Sequence, residues 1–575
     1  MDFFYKKNNE KFKGEELVGV KNLQNYIPLY GKFFELNSKN YNSINLNNSN
    51  FISNIEEKVS ENKYRINITD KKDNIVEKNS FIKFSPLLDP IKYIIDKYDK
   101  DTDIFILPRL NDNICHSKML NTNNVSYVDS FFSFLSSTML HNYNFVNGID
   151  FYGSFLGIKK DYVVNIEDEI DILNDNENFH KNKNVKYNID NISYEKLFNN
   201  STKKHKHKIS LDTSEVIDED ILNLSDIKDL DCLNEIFNID KKILEDISND
   251  KDDKDDKDDK DDKDDKELIY ENNDIRTASS KKHTNSSGSS CSSRSSDTEN
   301  SDDKDTDDNL ESEESTSSES EPENVFIKIK EFPVQLIFLE NCKNTLDDYI
   351  VNNKIRDVEW DSIILQIIFT LITYQQTFNF THNDLHTNNI VYNETDKKYI
   401  YYKYKDRHYK IPTFGKIYKI IDFGRAIYNF KGNLLCSDSF SSDGDAHTQY
   451  NFEPYFNDNK PRLEPNYSFD LCRLGCSIFD FFIEDLDDLK KIKSPIKRII
   501  LDWVKDDKDR NVLYKNNGEE RYPDFKLYKM IARTVHNHIP SKVLENKHFE
   551  KYLIAKKRIN TPQQIINIDS IPIMK

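Results

Sequence analysis

Two segments concentrate the side chains that could do chemistry. Residues 380–392 read FTHNDLHTNNIVY, and residues 417–428 read IYKIIDFGRAIY. In the first, Asp384 and Asn389 stand five apart in a polar loop that follows a long apolar run and precedes the strand-like 390–392. In the second, a β-branched run ends abruptly at Asp422-Phe423-Gly424. A carboxylate just past a strand end, with a glycine releasing the chain, points into a cleft. An Asp and an Asn from one loop, joined by a second Asp from a strand end, make a hard-oxygen set of the kind that holds Mg²⁺. Any one of the three could merely cap a turn, but their joint occurrence favours a site.

Other elements must hold these loops in place. Residues 64–69 and 80–84 alternate as strands around a polar turn, and 104–107 is a further short apolar run. Residues 127–140 carry apolar side chains at helical spacing, and 148–164 reads as two strands. Later in the chain, 326–330 and 334–339 read as strands, while 361–374 and 469–483 are apolar enough to be buried helices. The pattern is a mainly β part, an interruption, and a mainly α part.

The interruption is compositional. Residues 165–324 hold 47 acidic and 22 basic side chains, a net of −25 that exceeds the whole chain's −20 and leaves the remainder at +5. The stretch contains the repeat KDDKDDKDDKDDKDDK at 251–266 and a Ser- and acid-rich run ending SESEPEN. Such sequence buries too little apolar surface to offset its ordering entropy, so disorder is expected, with at most a transient helix at 221–233. The slightly basic remainder suits anionic phosphates. No basic run interleaved with aromatics points to nucleic acid.

The two segments resemble the signature of protein kinases. His382-Asn383-Asp384-Leu385-His386-Thr387-Asn388-Asn389 is similar to the catalytic loop H-R-D-x-x-x-x-N, and Asp422-Phe423-Gly424 to D-F-G. Around them, Leu339-Glu340-Asn341-Cys342 with Thr345 to Tyr349 resembles the hinge and the helix after it. Asp470-Leu471-Cys472-Arg473-Leu474-Gly475 resembles the start of the large buried helix, and 145–155 the approach to the fourth small-lobe strand. The resemblance implies an α+β, bilobal protein-kinase-like fold with a β-rich small lobe, a helical large lobe and a long disordered acidic insertion. The implied divisions are an N-terminal extension (1–50), the small lobe (51–165 and 326–344), the insertion (166–325) and the large lobe (345–575).

It also implies roles. Asp384 would accept or orient the proton of the attacking hydroxyl, while Asn389 and Asp422 would hold Mg²⁺ against ATP. Lys83, in the strand Phe81-Ile82-Lys83-Phe84, would contact phosphates, and Glu340 and Cys342 would meet the nucleotide at the hinge. Arg109 is the alternative to Lys83. His382, Phe423 and Asp470 would align the loops. The chain departs from the pattern in several places. There is no Gly between Gly31 and Gly148, hence no Gly-rich phosphate loop. The usual Glu partner of the lysine has no clear equivalent, Asp129 being the sole acid on the candidate helix. Asn383 and His386 replace an Arg and a Lys. D-L-H-x-x-N also occurs in haspin-like kinases and in small-molecule phosphotransferases such as the aminoglycoside and choline kinase group. The Asn-rich, Gly-poor style is similar to kinase-like proteins of giant DNA viruses.

The expected function is therefore Ser/Thr-type transfer from ATP and Mg²⁺ to a protein substrate. The alternatives are a small-molecule phosphotransferase and a catalytically impaired pseudokinase acting as a scaffold. Without the Arg that pairs an activation-loop phosphate, phosphorylation among 437–448 is expected to be dispensable. Seven cysteines form no CxxC pair, so neither a zinc site nor a disulfide framework is indicated. The opening MDFFYKKNNE lacks a signal-peptide core, and the most apolar stretch, 363–372, falls short of the ~20 residues that span a bilayer. A soluble cytoplasmic protein is expected.

Overall fold

Alternation of apolar and polar residues builds the largest sheet. In a computed structural model, the residues described are 6–7, 12–198 and 325–575, apart from 47–49, 71, 99–102, 112–113, 195–196, 484 and 560–564. All of them fall in one unit of the chain. The sheet contains β1 (Val20–Gln24), β2 (Asn50–Lys58), β3 (Lys63–Asp70), β4 (Ile75–Pro86), β5 (Phe151–Asn165), β6 (Tyr187–Asn188) and β7 (Phe326–Glu340). The order is β1-β5-β7-β4-β3-β2, with β6 also pairing β7, and every pairing is antiparallel. On β3, Tyr64, Ile66 and Ile68 are buried while Lys63 and Arg65 face water. The β4–β7 register pairs Ser80 with Glu340 and Lys83 with Ile337, which fixes where the Lys83 side chain leaves the sheet.

Helix α1 (Val125–Tyr143) packs against this sheet. Asn124 caps it, its side chain accepting from Ser126 N at 3.0 Å. Nearly every residue from Ser126 to Met139 is buried, so the helix lies between the sheet and the rest of the chain. Beyond the sheet come α2 (Leu346–Asn352) and α3 (Asp357–Phe378). A small sheet joins β8 (Asn344–Thr345), β9 (Ile390–Glu394) and β12 (Lys416–Ile420). The hairpin of β10 (Tyr399–Tyr404) and β11 (Arg407–Pro412) lies between β9 and β12 in sequence, and the hairpin of β13 (Ile427–Phe430) and β14 (Asn433–Cys436) follows. Helices α4 (Phe469–Phe482), α5 (Pro495–Asp502) and α6 (Phe525–Thr534) complete the helical part.

Helix α3 stops at Asn379, whose φ of +57° is the left-handed cap that only a few residue types adopt readily. The chain thereby turns straight into the loop that carries Asp384. Phe132 of α1 is the hub between the parts. Its ring lies 4.3 Å from Phe380 and 4.6 Å from Phe423, so one core side chain touches both chemistry-bearing segments.

Several expectations need correction. The region expected to form two strands over 148–164 holds one, β5 (Phe151–Asn165); the irregularity is a register shift at Phe151/Gly153, where Gly153 has φ +154°. Residues 326–330 and 334–339 likewise fuse into β7, which carries Pro333 within its ladder while the Pro333 carbonyl still accepts from Leu87 N at 3.0 Å. Residues 104–107 are not a strand: Asp103 accepts from Phe105 N at 2.9 Å and turns the chain. The stretch assigned to an N-terminal extension supplies β1 to the large sheet. Residues 166–198, expected to be disordered, contain short helices and β6, with Phe179 and Tyr187 fully buried and stacked at 4.9 Å. The rest of the expected insertion, including 221–233 and 251–266, lies outside the described residues.

Gly148 is needed where the chain leaves α1 to enter β5. A Cβ there would stand 2.5 Å from the Ser136 carbonyl oxygen, a backbone atom with no room to yield. Gly148→Ala is therefore expected to destabilise the fold by about 1–3 kcal/mol, the usual range for overpacking. Urea unfolding should show a lower midpoint with an unchanged slope.

Candidate active site

Lys83 brings three elements together. Its Nζ lies 2.6 Å from Asp129 Oδ2 on α1 and 2.7 Å from Asp422 Oδ1 at the end of β12. Burial alone would lower the pKa of this ammonium, but the two carboxylates outweigh it and hold the value above that of ordinary lysine. Asp129 has a second task, because its Oδ1 accepts the Phe423 N–H at 2.9 Å. One carboxylate thus fixes both the lysine and the backbone after Asp422. Asp422 has φ +66°, so the strand ends by a sharp reversal. Of the two candidate cations, Lys83 belongs to this cluster, whereas Arg109 is exposed elsewhere.

The loop beside it is held by a buried carboxylate on α4. Asp470 accepts from His382 N at 2.9 Å and from Asn383 N at 2.9 Å. The His382 ring spans the two segments, with Nε2 3.0 Å from the Ile421 carbonyl and Nδ1 3.3 Å from Asp384 N. Those partners suit an Nε2 that donates and an Nδ1 that accepts. Asn389 extends the same link: its carbonyl accepts from Ile421 N at 3.0 Å, and its side-chain amide donates to the Asp384 carbonyl at 3.0 Å. The two expected metal ligands, Asn389 and Asp422, therefore sit on backbones one hydrogen bond apart. Among the described residues no three His, Cys, Asp or Glu gather as a metal cage.

Asp384 itself is buried. Tyr528 of α6 donates to its Oδ1 at 2.7 Å, and Arg425 Nη1 stands 3.7 Å from its Oδ2. Burial raises the carboxyl pKa, but Arg425, His386, Arg473 and the Tyr528 hydroxyl together bring it below the usual aspartate value. His386 is depressed to about 4, mainly by burial, so it is neutral at physiological pH. Its Nε2 is 3.1 Å from the Asn389 amide nitrogen, which orients that side chain. Asn383 replaces the expected arginine with neutral bonds: it donates to the Arg425 carbonyl at 2.9 Å and accepts from the Tyr450 hydroxyl at 2.8 Å. Within 437–448, Ser437 and Ser439 are buried, whereas Ser442 is exposed.

Glu340 is engaged in other contacts. Its carboxylate accepts from Lys419, from Asp150 N at 2.7 Å and from Asn393 at 2.6 Å, which ties β7 to β9 and β12. Cys342 is half-buried against the core. A cavity of about 480 Å³ opens beside Lys83, lined also by Phe81, Val125, Lys159 and, at the turn between β2 and β3, Glu61 and Asn62. Asp384, Asn389, Asp422, Glu340 and Cys342 do not line it.

The sequence offers Arg425 and Arg473 only as cations that could stand in for the arginine missing at 383, and it does not point to Tyr528 at all. Arg425 directly follows Asp422-Phe423-Gly424, and Arg473 lies in the Asp470 helix, so each had a local cue. Tyr528 had none, since its contact crosses 144 residues.

No family model matches the chain. Over 199 residues it is 29% identical to a protein of Acanthamoeba polyphaga mimivirus named "Putative serine/threonine-protein kinase R301". The aligned stretch covers 32% of this chain and 47% of the viral one, so it spans less than half of that relative's length.

The neutral state of His386 gives a pH prediction. Its folded value lies below its unfolded value of 6.5, so the unfolded chain binds the proton first. The stability it contributes is full above pH 6.5 and is lost progressively as pH falls toward 4. His386→Gln should flatten the fall in unfolding free energy between pH 7.5 and 5, by up to about 2 kcal/mol at about 1.4 kcal/mol per pH unit. Urea titrations of both proteins at several pH values measure it.

Proposed function

We propose that this chain, a divergent kinase-like protein distantly related to one from a giant virus, transfers a phosphoryl group from ATP with Mg²⁺ to a protein hydroxyl. The observation that carries the reading is the joining of Lys83, Asp129 and Asp422 beside a loop presenting Asp384 and Asn389. Lys83 would neutralise phosphate charge, and Asn389 and Asp422 would hold the metal. Magnesium supplies charge neutralisation at the transferred phosphate. Asp384, held ionised, would receive or orient the acceptor's proton. His382, Phe423 and Asp470 would position the two loops rather than touch substrate.

The large sheet with α1 is read as the small lobe and the helical part as the large lobe, with 199–324 inserted between β6 and β7. Since the Glu340 carboxylate is already bonded, nucleotide contacts at 340–342 would fall to the backbone. Asp129 is read as the partner of the lysine, one methylene shorter than the expected Glu. The cavity volume beside Lys83 falls within the range of small-molecule sites. Its lining carries more Asp and Glu than Lys, which favours a nucleotide that arrives with its metal. Among the described residues no helix is long and apolar enough to cross a membrane.

The test is transfer from γ-labelled ATP with protein acceptors, small hydroxyl compounds or the chain alone. Wild type should label protein in a magnesium-dependent manner. Asp384→Ala should reduce the rate about 10²-fold or more, the usual contribution of a general base. Label on a small hydroxyl compound alone would shift the acceptor class. Equal rates in wild type and Asp384→Ala would overturn the proposal.

A further inference from the structure

The Tyr528 hydroxyl offers Asp384 what an acceptor would offer it. An attacking alcohol must donate its proton toward the Asp384 carboxylate, and Tyr528 already does so at 2.7 Å on Oδ1. The other oxygen, Oδ2, faces Arg425 Nη1, which is buried and makes no hydrogen bond among the described residues. Tyr528 is itself anchored: its oxygen accepts from Arg473 Nε at 2.9 Å. Arg425 and Arg473 lie over its ring, with guanidinium carbons 5.4 and 5.1 Å from the centroid, and Phe525 stacks on it at 5.3 Å. Tyr528 is 5% exposed and Asp384 is 8% exposed, so little of the carboxylate is open to an external hydroxyl while this contact stands.

We infer that Tyr528 occupies the acceptor position of the site, so that a hydroxyl from outside reaches Asp384 only after the Tyr528 contact is released. This rests on the phosphoryl-transfer reading. It adds that α6 competes with the acceptor: its Tyr528 hydroxyl meets Asp384, whereas Lys83 meets Asp129 and Asp422. The two arginines hold the phenol by cation–π contact and hydrogen bond, a grip that weakens when one partner is shortened.

Tyr528→Phe removes the hydroxyl, keeps the ring packing and leaves space for a water beside Asp384. The expected result is a roughly tenfold rise in magnesium-dependent ATP hydrolysis, in line with loss of one hydrogen bond to a charged group. The KM for dephosphorylated casein should fall by a similar factor while the KM for ATP stays fixed. Arg473→Gln, which loosens the anchor and leaves the hydroxyl, should move both readouts in the same direction by less; it decides the matter if Tyr528→Phe fails to fold. A fall in kcat with unchanged casein KM would make Tyr528 a positioning residue and overturn the inference. So would transfer by wild type that neither variant alters. If neither wild type nor the variants consume ATP at all, the phosphoryl-transfer reading falls and takes this inference with it.

Discussion

The Lys83 ammonium lies between the buried carboxylate of Asp129 and the mostly buried one of Asp422, and the arrangement around it follows from that placement. Removing one positive and two negative charges from water costs several kcal/mol per ion, which only close and well-directed contacts offset. Such contacts exist when β4, α1 and the end of β12 meet within a few tenths of an ångström. Asp129 tightens the requirement by also binding Phe423 N. Any shift of α1 along the sheet would break both bonds. The burial of α1 on nearly all sides, and the contact of Phe132 with Phe380 and Phe423, supply the stiffness that holds the register.

A second buried carboxylate performs the same task for the loop. Asp470 binds two consecutive backbone N–H groups, His382 bridges to Ile421, and Ile421 returns a hydrogen bond to Asn389. The loop and the strand end therefore move as one body. An Arg at 383 would need an anionic partner; Asn383 instead satisfies both ends of its amide with Arg425 and Tyr450. Of the hydroxyls in 437–448, Ser437 and Ser439 are buried and Ser442 is exposed.

The local parts of this arrangement were legible in the residues, and the non-local parts were not. Asp384, Asn389 and Asp422 stand in short segments whose polarity breaks sharply against apolar neighbours, and Lys83 stood out as a lone cation in an apolar strand. Asp129 could be noticed as the sole acid on its helix, but the sequence does not say toward which strand that helix presents it. Strand lengths were misjudged because Pro333 and Gly153 look like breaks, whereas the long β5–β7 ladder carries them. The boundary at 165 followed a charge count, but the few apolar residues after it, Phe179 and Tyr187 among them, suffice to anchor that segment. Tyr528 reaches Asp384 through tertiary packing alone, which no spacing rule reports.

The central claim is that the lysine, the strand-end aspartate and the loop asparagine form a site for a metal-bearing nucleotide. Calorimetric titration of ATP with and without magnesium, in wild type and in Asp422→Asn, tests it most directly. Magnesium should tighten ATP binding about tenfold or more in wild type, equivalent to about 1.4 kcal/mol, and Asp422→Asn should abolish that gain while still folding. Equal ATP affinity with and without magnesium in wild type, or no ATP binding under either condition, would contradict it.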